Sequence, residues 1–164
     1  MKNLKSILLA SLLTIGTFAS VVFSSCNPDA CKDVVCANGG NCNDGSCACA
    51  VGYEGSRCET ESRTKLYGTF LLSGTDSDGG TYTNLSTTVS ASATSPTKFL
   101  LNIASAFNLT CTMTSGNSFT IDNITLSGFT YTGSGTYTGT TLTLIMNETD
   151  ATGTVIYNLA GNKQ

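Results

Sequence analysis

Six cysteines stand within twenty-eight residues: Cys31, Cys36, Cys42, Cys47, Cys49 and Cys58, separated by four, five, four, one and eight residues. Thiols at this density do one of two things, ligate a metal or cross-link as disulfides. The paired C-x-x-C spacing of a four-cysteine zinc site is absent, and the chain has no histidine to complete a mixed site. A segment this short cannot bury enough apolar surface to fold alone, since below roughly 40 residues cross-links or metals usually make up the deficit. Disulfides are the expected chemistry, each stabilising by about 2–4 kcal/mol through restriction of the unfolded chain. Spacing alone leaves their pairing open.

The other reactive side chains form no catalytic set. Asp76-Ser-Asp78-Gly79 opens like a calcium loop, but the later glutamate ligand is missing and the setting is that of a hairpin turn. Glu148 and Asp150 are the only close carboxylates in the C-terminal half, and they sit together near a turn instead of flanking a cleft as a glycosidase requires. No serine lies in a nucleophile elbow, and without histidine nothing of the usual kind would activate one. Gly133-Ser-Gly135 followed by Gly139 has the wrong spacing for a dinucleotide fingerprint and is expected to ease strand curvature. Asn84, Asn108, Asn123 and Asn147 each begin an N-x-[ST] triplet, frequent by chance in an Asn- and Thr-rich chain and expected to stay bare. These readings point to a protein that is not an enzyme and uses no cofactor and no metal.

Two cysteines lie outside the cluster, Cys26 and Cys111. Ahead of Cys26, Lys2 and Lys5 precede the apolar run Ile7–Leu13 and a stretch of small residues, the order of a secretory signal over residues 1–25. A membrane-spanning helix needs about 20 apolar residues, and Ser11, Thr14, Gly16, Thr17 and Ser20 dilute this one. Val22-Phe23-Ser24-Ser25 before Cys26 resembles the lipobox of a bacterial lipoprotein, with Phe23 where leucine is usual and Ser25 where glycine or alanine is usual. The resemblance implies cleavage, acylation of Cys26 and a tether over 26–30. A lipid bilayer reached through acylated Cys26 would then be the first partner, at about 0.8 kcal/mol per buried methylene. The competing arrangement is a Cys26–Cys111 disulfide.

The cysteine spacing, Asn38-Gly39-Gly40, and the closing run Cys49-Ala-Val-Gly52-Tyr53-Glu-Gly55-Ser-Arg-Cys58 together resemble the EGF-like domain over residues 31–58. That resemblance implies the pairs Cys31–Cys42, Cys36–Cys47 and Cys49–Cys58. Gly39 and Gly40 are expected to take positive φ in a tight turn, Gly52 and Gly55 to shape the last hairpin, and Tyr53 to cover the disulfides. Calcium is not expected: Asn27 and Asp29 fit the family's first ligand segment, but Ala30 replaces a ligand and the Cys42–Cys47 loop is short. Asp29 is read as part of the spacer.

The elements that position these residues change character after a charged linker, 59–65. From Leu66 onward period-two alternation rich in Thr, Val, Ile, Leu, Phe and Tyr predicts strands at 66–73, 81–92, 98–105, 108–114, 118–126, 129–137, 140–147 and 153–160. The turns Asp76–Gly80, Ser115-Gly116-Asn117 and Thr138-Gly139 join consecutive strands and imply an antiparallel meander. The fold class is therefore mainly β: a small disulfide-rich module plus an up-and-down antiparallel barrel of about eight strands, or a two-sheet sandwich, over 66–164. One face is expected to be buried: Gly68, Phe70, Leu72; Phe99, Leu101, Ile103; Leu109, Cys111, Met113; Phe119, Ile121; Leu142, Leu144, Met146; Val155, Tyr157, Leu159. Thr69, Thr110, Thr112, Thr114, Thr120, Thr141 and Thr143 line the other, suited to water. Cys111 is read as a small core hydrophobe. On architecture, this half resembles lipocalin-like meander barrels and the β-domains that accompany EGF-like modules in lipoproteins of Bacteroidetes-type bacteria.

Of the chain's 164 residues, 12% are charged against an average near 25%. Net charge is −3, and removal of Lys2 and Lys5 with the signal leaves six basic against eleven acidic residues, −5. With no basic cluster, nucleic acid is excluded as a partner and anionic lipid is disfavoured as an electrostatic one. The expectation is a non-enzymatic lipoprotein of the bacterial outer membrane, facing the periplasm or the outside. Its role is interaction or structure, with a protein or glycan partner unspecified; the alternative is a lipocalin-like carrier of a small apolar ligand.

Overall fold

The computed structural model describes residues 30–164. The expected signal segment 1–25 and the expected tether residues 26–29, with Cys26, Asn27 and Asp29 among them, lie outside the described residues. The chain first builds a small disulfide-rich module with two short antiparallel pairs, β1 (Asn41–Asn43) with β2 (Ser46–Ala48), and β3 (Tyr53–Glu54) with β4 (Thr60–Glu61). Disulfides join Cys31 to Cys42, Cys36 to Cys47 and Cys49 to Cys58, the pairs implied by the resemblance. Gly39 takes a positive φ of 75°, but Gly40 does not. Gly40 serves close approach instead, since a Cβ there would stand 2.7 Å from the Cys58 sulfur.

The second unit is a closed barrel of eight antiparallel strands in meander order. They are β5 (Gly68–Asp76), β6 (Thr81–Ala91), β7 (Lys98–Ile103), β8 (Phe107–Met113), β9 (Ser118–Leu126), β10 (Phe129–Thr138), β11 (Thr141–Thr149) and β12 (Thr154–Lys163). Closure comes from β12 against β5, from Tyr157 opposite Asp76 to Lys163 opposite Phe70. Of the two arrangements open at the sequence level, the barrel is the one adopted. It leaves no sheet edge, which an open sandwich of these strands would have to protect.

Inside, Phe70, Leu72, Phe99, Leu101, Leu109, Met113, Phe119, Leu142 and Leu144 are buried. Phe99 and Phe119 meet edge-to-face at 5.0 Å, as do Phe70 and Tyr137 at 6.1 Å. Gly68 departs from the expected buried face: it begins β5 at the rim, is exposed, and looks onto the Lys163 side chain. Val155 and Tyr157 are only half-buried because they stand near the opposite rim.

The segment 59–65 is built into the structure rather than spanning a gap. Thr60 and Glu61 pair with β3, and Ser62–Leu66 form a 3-10 helix with Leu66 completely buried. Arg63, also buried, donates from Nη1 to the carbonyls of Ser92 (2.9 Å), Ser95 (2.7 Å) and Lys98, all on or beside the β6–β7 connection. Lys65 reaches from Glu54 in the module (2.6 Å) to Asn117 in the barrel (2.8 Å). One end of the barrel is thus stoppered by this helix with the disulfide module beside it. At that end lie the connections 92–97, 114–117 and 139–140, and the barrel's first and last residues.

Candidate functional site

The other end is set by the connections 77–80, 104–106, 127–128 and 150–153. Irregularities in two strand pairs bring large side chains to it. Between β5 and β6 the register shifts between Leu72 and Gly74, with Asn84 at φ 53° donating its amide to Ser73 Oγ at 3.0 Å. Tyr82 and Leu85, three residues apart, consequently both pack on the core. A second shift, between Tyr131 and Gly133 where β10 pairs β9, does the same for Ile121 and Ile124.

Tyr82 and Leu85 line a cleft of about 270 Å3 together with Ile103, Phe107, Met146, Tyr157 and Leu159, with Glu148 among them. The Tyr82 and Tyr157 rings lie 5.7 Å apart, and Phe107 and Tyr131 5.2 Å apart. Tyr157 donates to Glu148 Oε2 at 3.2 Å, and Tyr82 donates to Asp76 Oδ2 at 2.7 Å. Asp76 Oδ1 accepts from the amides of Asp78 (2.9 Å) and Gly80 (2.8 Å). A second hollow of about 220 Å3 on the rim, bounded by Asp78, Phe129, Asp150 and Thr152–Val155, shares the Glu148 wall.

The titration of these groups follows from that geometry. The hydrogen bond from Tyr82 and then the Gly80 amide hold the Asp76 carboxyl below the usual carboxylate range. The same bond raises Tyr82. Burial, and then the neighbouring Glu148 charge, raise Tyr131 and, far more strongly, Tyr157. All three phenols therefore remain neutral and can only gain a donor role against the carboxylates.

The residues singled out in the sequence distribute as follows. The six module cysteines stand at the stoppered end as cross-links. Cys111 is free and completely buried, its thiol pushed up by desolvation first and by the Asp122 charge second. Asp76–Gly80 forms a closed turn whose aspartate is occupied by its own amides. Asp150 does the same for the β11–β12 connection, accepting from Thr152 and Gly153. Glu148 lines the cleft and also the rim hollow that it shares with Asp150. Among the described residues no group of three acidic, cysteine or histidine side chains is placed to hold a metal. The tyrosine cluster was not legible as a site; Tyr157 falls on the inward alternation, whereas Tyr82 is out of phase because of the bulge.

Fold and site together define a class: a disulfide-stapled module joined to a closed eight-stranded barrel with one stoppered end and one open, aromatic and acidic mouth. No family model and no curated protein matches the chain.

Proposed function

We propose that this protein is a non-enzymatic, acylated lipoprotein of a bacterial outer membrane, with an EGF-like stalk carrying a barrel whose open mouth makes its interactions. The observation that carries the reading is the polarity of the barrel. The module through which the chain leads back toward Cys26 lies beside the stoppered end, so a lipid anchor there leaves the mouth pointing away from the bilayer. Acylation is also favoured over a Cys26–Cys111 disulfide because Cys111 is wholly inside the barrel, where another thiol could reach it only by opening the sheet. The outward threonines, such as Thr114, Thr120 and Thr143, are exposed and suit water.

The alternative of an enclosed carrier is less well supported. Ligand pockets for drug-sized molecules begin near 300 Å3, and the cleft, at about 270 Å3, lies at the mouth and not in the filled interior. Intact-mass analysis of the protein from bacterial membranes, with and without reduction and alkylation, tests the anchored reading. A lipid-sized increment on a chain starting at Cys26, with Cys111 as a free thiol, is the expected result. An unacylated chain with a Cys26–Cys111 disulfide would overturn it.

A further inference from the structure

We propose that the barrel mouth selects a small ligand carrying an ammonium group on a short apolar body. The inference deepens the reading of the mouth as the interacting end and rests on it. Three independent features of the cleft agree. Its walls are apolar, from Leu85, Ile103 and Met146, which favours burying hydrocarbon. Its aromatic rings, Tyr82 and Tyr157 at 5.7 Å from each other and Phe107 in the same lining, are the groups whose quadrupoles attract a desolvated cation, quaternary ammonium above all. The Glu148 carboxylate sits in the same wall, 3.2 Å from the Tyr157 hydroxyl, supplying a full negative charge beside the rings.

Charge over the whole barrel points the same way. Residues 68–164 hold two basic side chains, Lys98 and Lys163, and both begin or end strands at the stoppered end. Lys98 is paired with Asp122 at 2.5 Å, and Lys163 donates to the Lys65 carbonyl at 3.1 Å. The open end carries Asp76, Asp78, Glu148 and Asp150 with no cation among them. An anionic ligand would meet like charge, and a neutral one would leave the Glu148 charge uncompensated as the cleft is dried. A hard metal ion is a poor fit, because it needs six to eight oxygens, and among the described residues no three acidic side chains converge to hold one, while both oxygens of Asp76 and Oδ1 of Asp150 already accept from amides and hydroxyls. The volume sets the size: below about 300 Å3, a cleft takes less than a drug-sized molecule.

The test uses the full mature protein and three probes of similar size: butyltrimethylammonium, uncharged 3,3-dimethyl-1-butanol and anionic hexanoate. Each is titrated while the tyrosine ring resonances are followed by NMR. The ammonium is expected to shift Tyr82 and Tyr157 and to bind about tenfold more tightly than the alcohol, with affinity falling as salt rises. Glu148→Gln is expected to lose most of that preference while still binding the alcohol, a readout that a misfolded variant would not produce. Equal or tighter binding of the alcohol or hexanoate at the same tyrosines would overturn ammonium selection and leave the mouth as an interacting site. Failure of all three probes to perturb the mouth would overturn both.

Discussion

Arg63 shows how much one side chain can hold. Its Nη1 donates to three backbone carbonyls and its Nε to Glu61 at 2.8 Å, so a single guanidinium stitches the 3-10 helix to the β6–β7 connection. Arg63→Ala would strip these carbonyls of their charged donor, leaving Ser95 O with only the Lys98 amide at 3.1 Å, at an expected cost of about 2–3 kcal/mol, readable as a lower midpoint in urea unfolding. Arg63→Lys should recover less than half, because a compact ammonium cannot reproduce the planar fork; full recovery would mean that charge alone matters. Cys111 makes the opposite kind of prediction. Its thiol is buried and pushed upward, so at neutral pH it is protonated and out of reach. A thiol-alkylating reagent should modify it only under unfolding conditions, and rapid labelling of the native protein would contradict the packing described. At Gly135 a side chain is excluded by its surroundings: a Cβ would run into the Phe119 ring and lie 2.7 Å from the Thr143 carbonyl oxygen.

At the scale of elements, β7, β8 and β9 are clamped from outside by one carboxylate. Asp122 on β9 accepts from Lys98 on β7 at 2.5 Å and from Thr112 on β8 at 2.6 Å. Partial burial works to raise this carboxyl, but the two hydrogen bonds outweigh it and hold it below the usual range. A folded-state pKa below the unfolded one means stability that is fully present above the unfolded value, about 3.9, and lost as pH falls through the folded value. Asp76 and Asp150 are shifted the same way, so the difference between wild type and Asp122→Asn isolates the clamp. The variant should be less stable at pH 7 by about 1 kcal/mol, and the two proteins should converge as pH drops below about 4. Parallel curves across that range would sink the assignment. Element boundaries were largely legible in the alternation, because turns such as Asp76–Gly80 and Thr138-Gly139 punctuate it and a half-buried strand must alternate. The inward faces of β6, and of β9 beyond Ile121, were not. A bulge costs one residue of phase, so Tyr82, Leu85, Thr87 and Val89 cannot be placed on one face by counting in twos. Thr87, buried in the core with its hydroxyl donating to the Leu85 carbonyl at 3.3 Å, shows that residue type misleads as well. The charged linker misled for a related reason: Arg63 and Ser62 look solvent-seeking in sequence, and burial of the guanidinium is made tolerable by tertiary carbonyls together with the Glu61 carboxylate.

The whole molecule divides into two units that are held by different physics. Apart from Cys58 of the module, the large buried hydrophobic side chains belong to the barrel and to Leu66 of the helix that stoppers it, whereas the module has two strand pairs of three and two residues and depends on its cross-links. The units touch through a few defined contacts: the Ser62 amide to the Gly52 carbonyl at 2.9 Å, Lys65 with Glu54 at 2.6 Å, and Gly52 against Thr97. Reduction should therefore remove about 2–4 kcal/mol per disulfide from the module, more than so small a core can lose, and unfold residues 31–58. The barrel, closed by β12 on β5 and holding no disulfide, should keep its strands and lose only the support that the module lends its stopper. Amide hydrogen exchange under reducing conditions separates the outcomes: protection lost at β1–β4, retained through β7–β12, and weakened around Leu66 and Arg63. Loss of protection throughout the barrel on reduction would show instead that module and barrel form one cooperative unit, with the stopper as the joint through which the cross-links stabilise all eight strands.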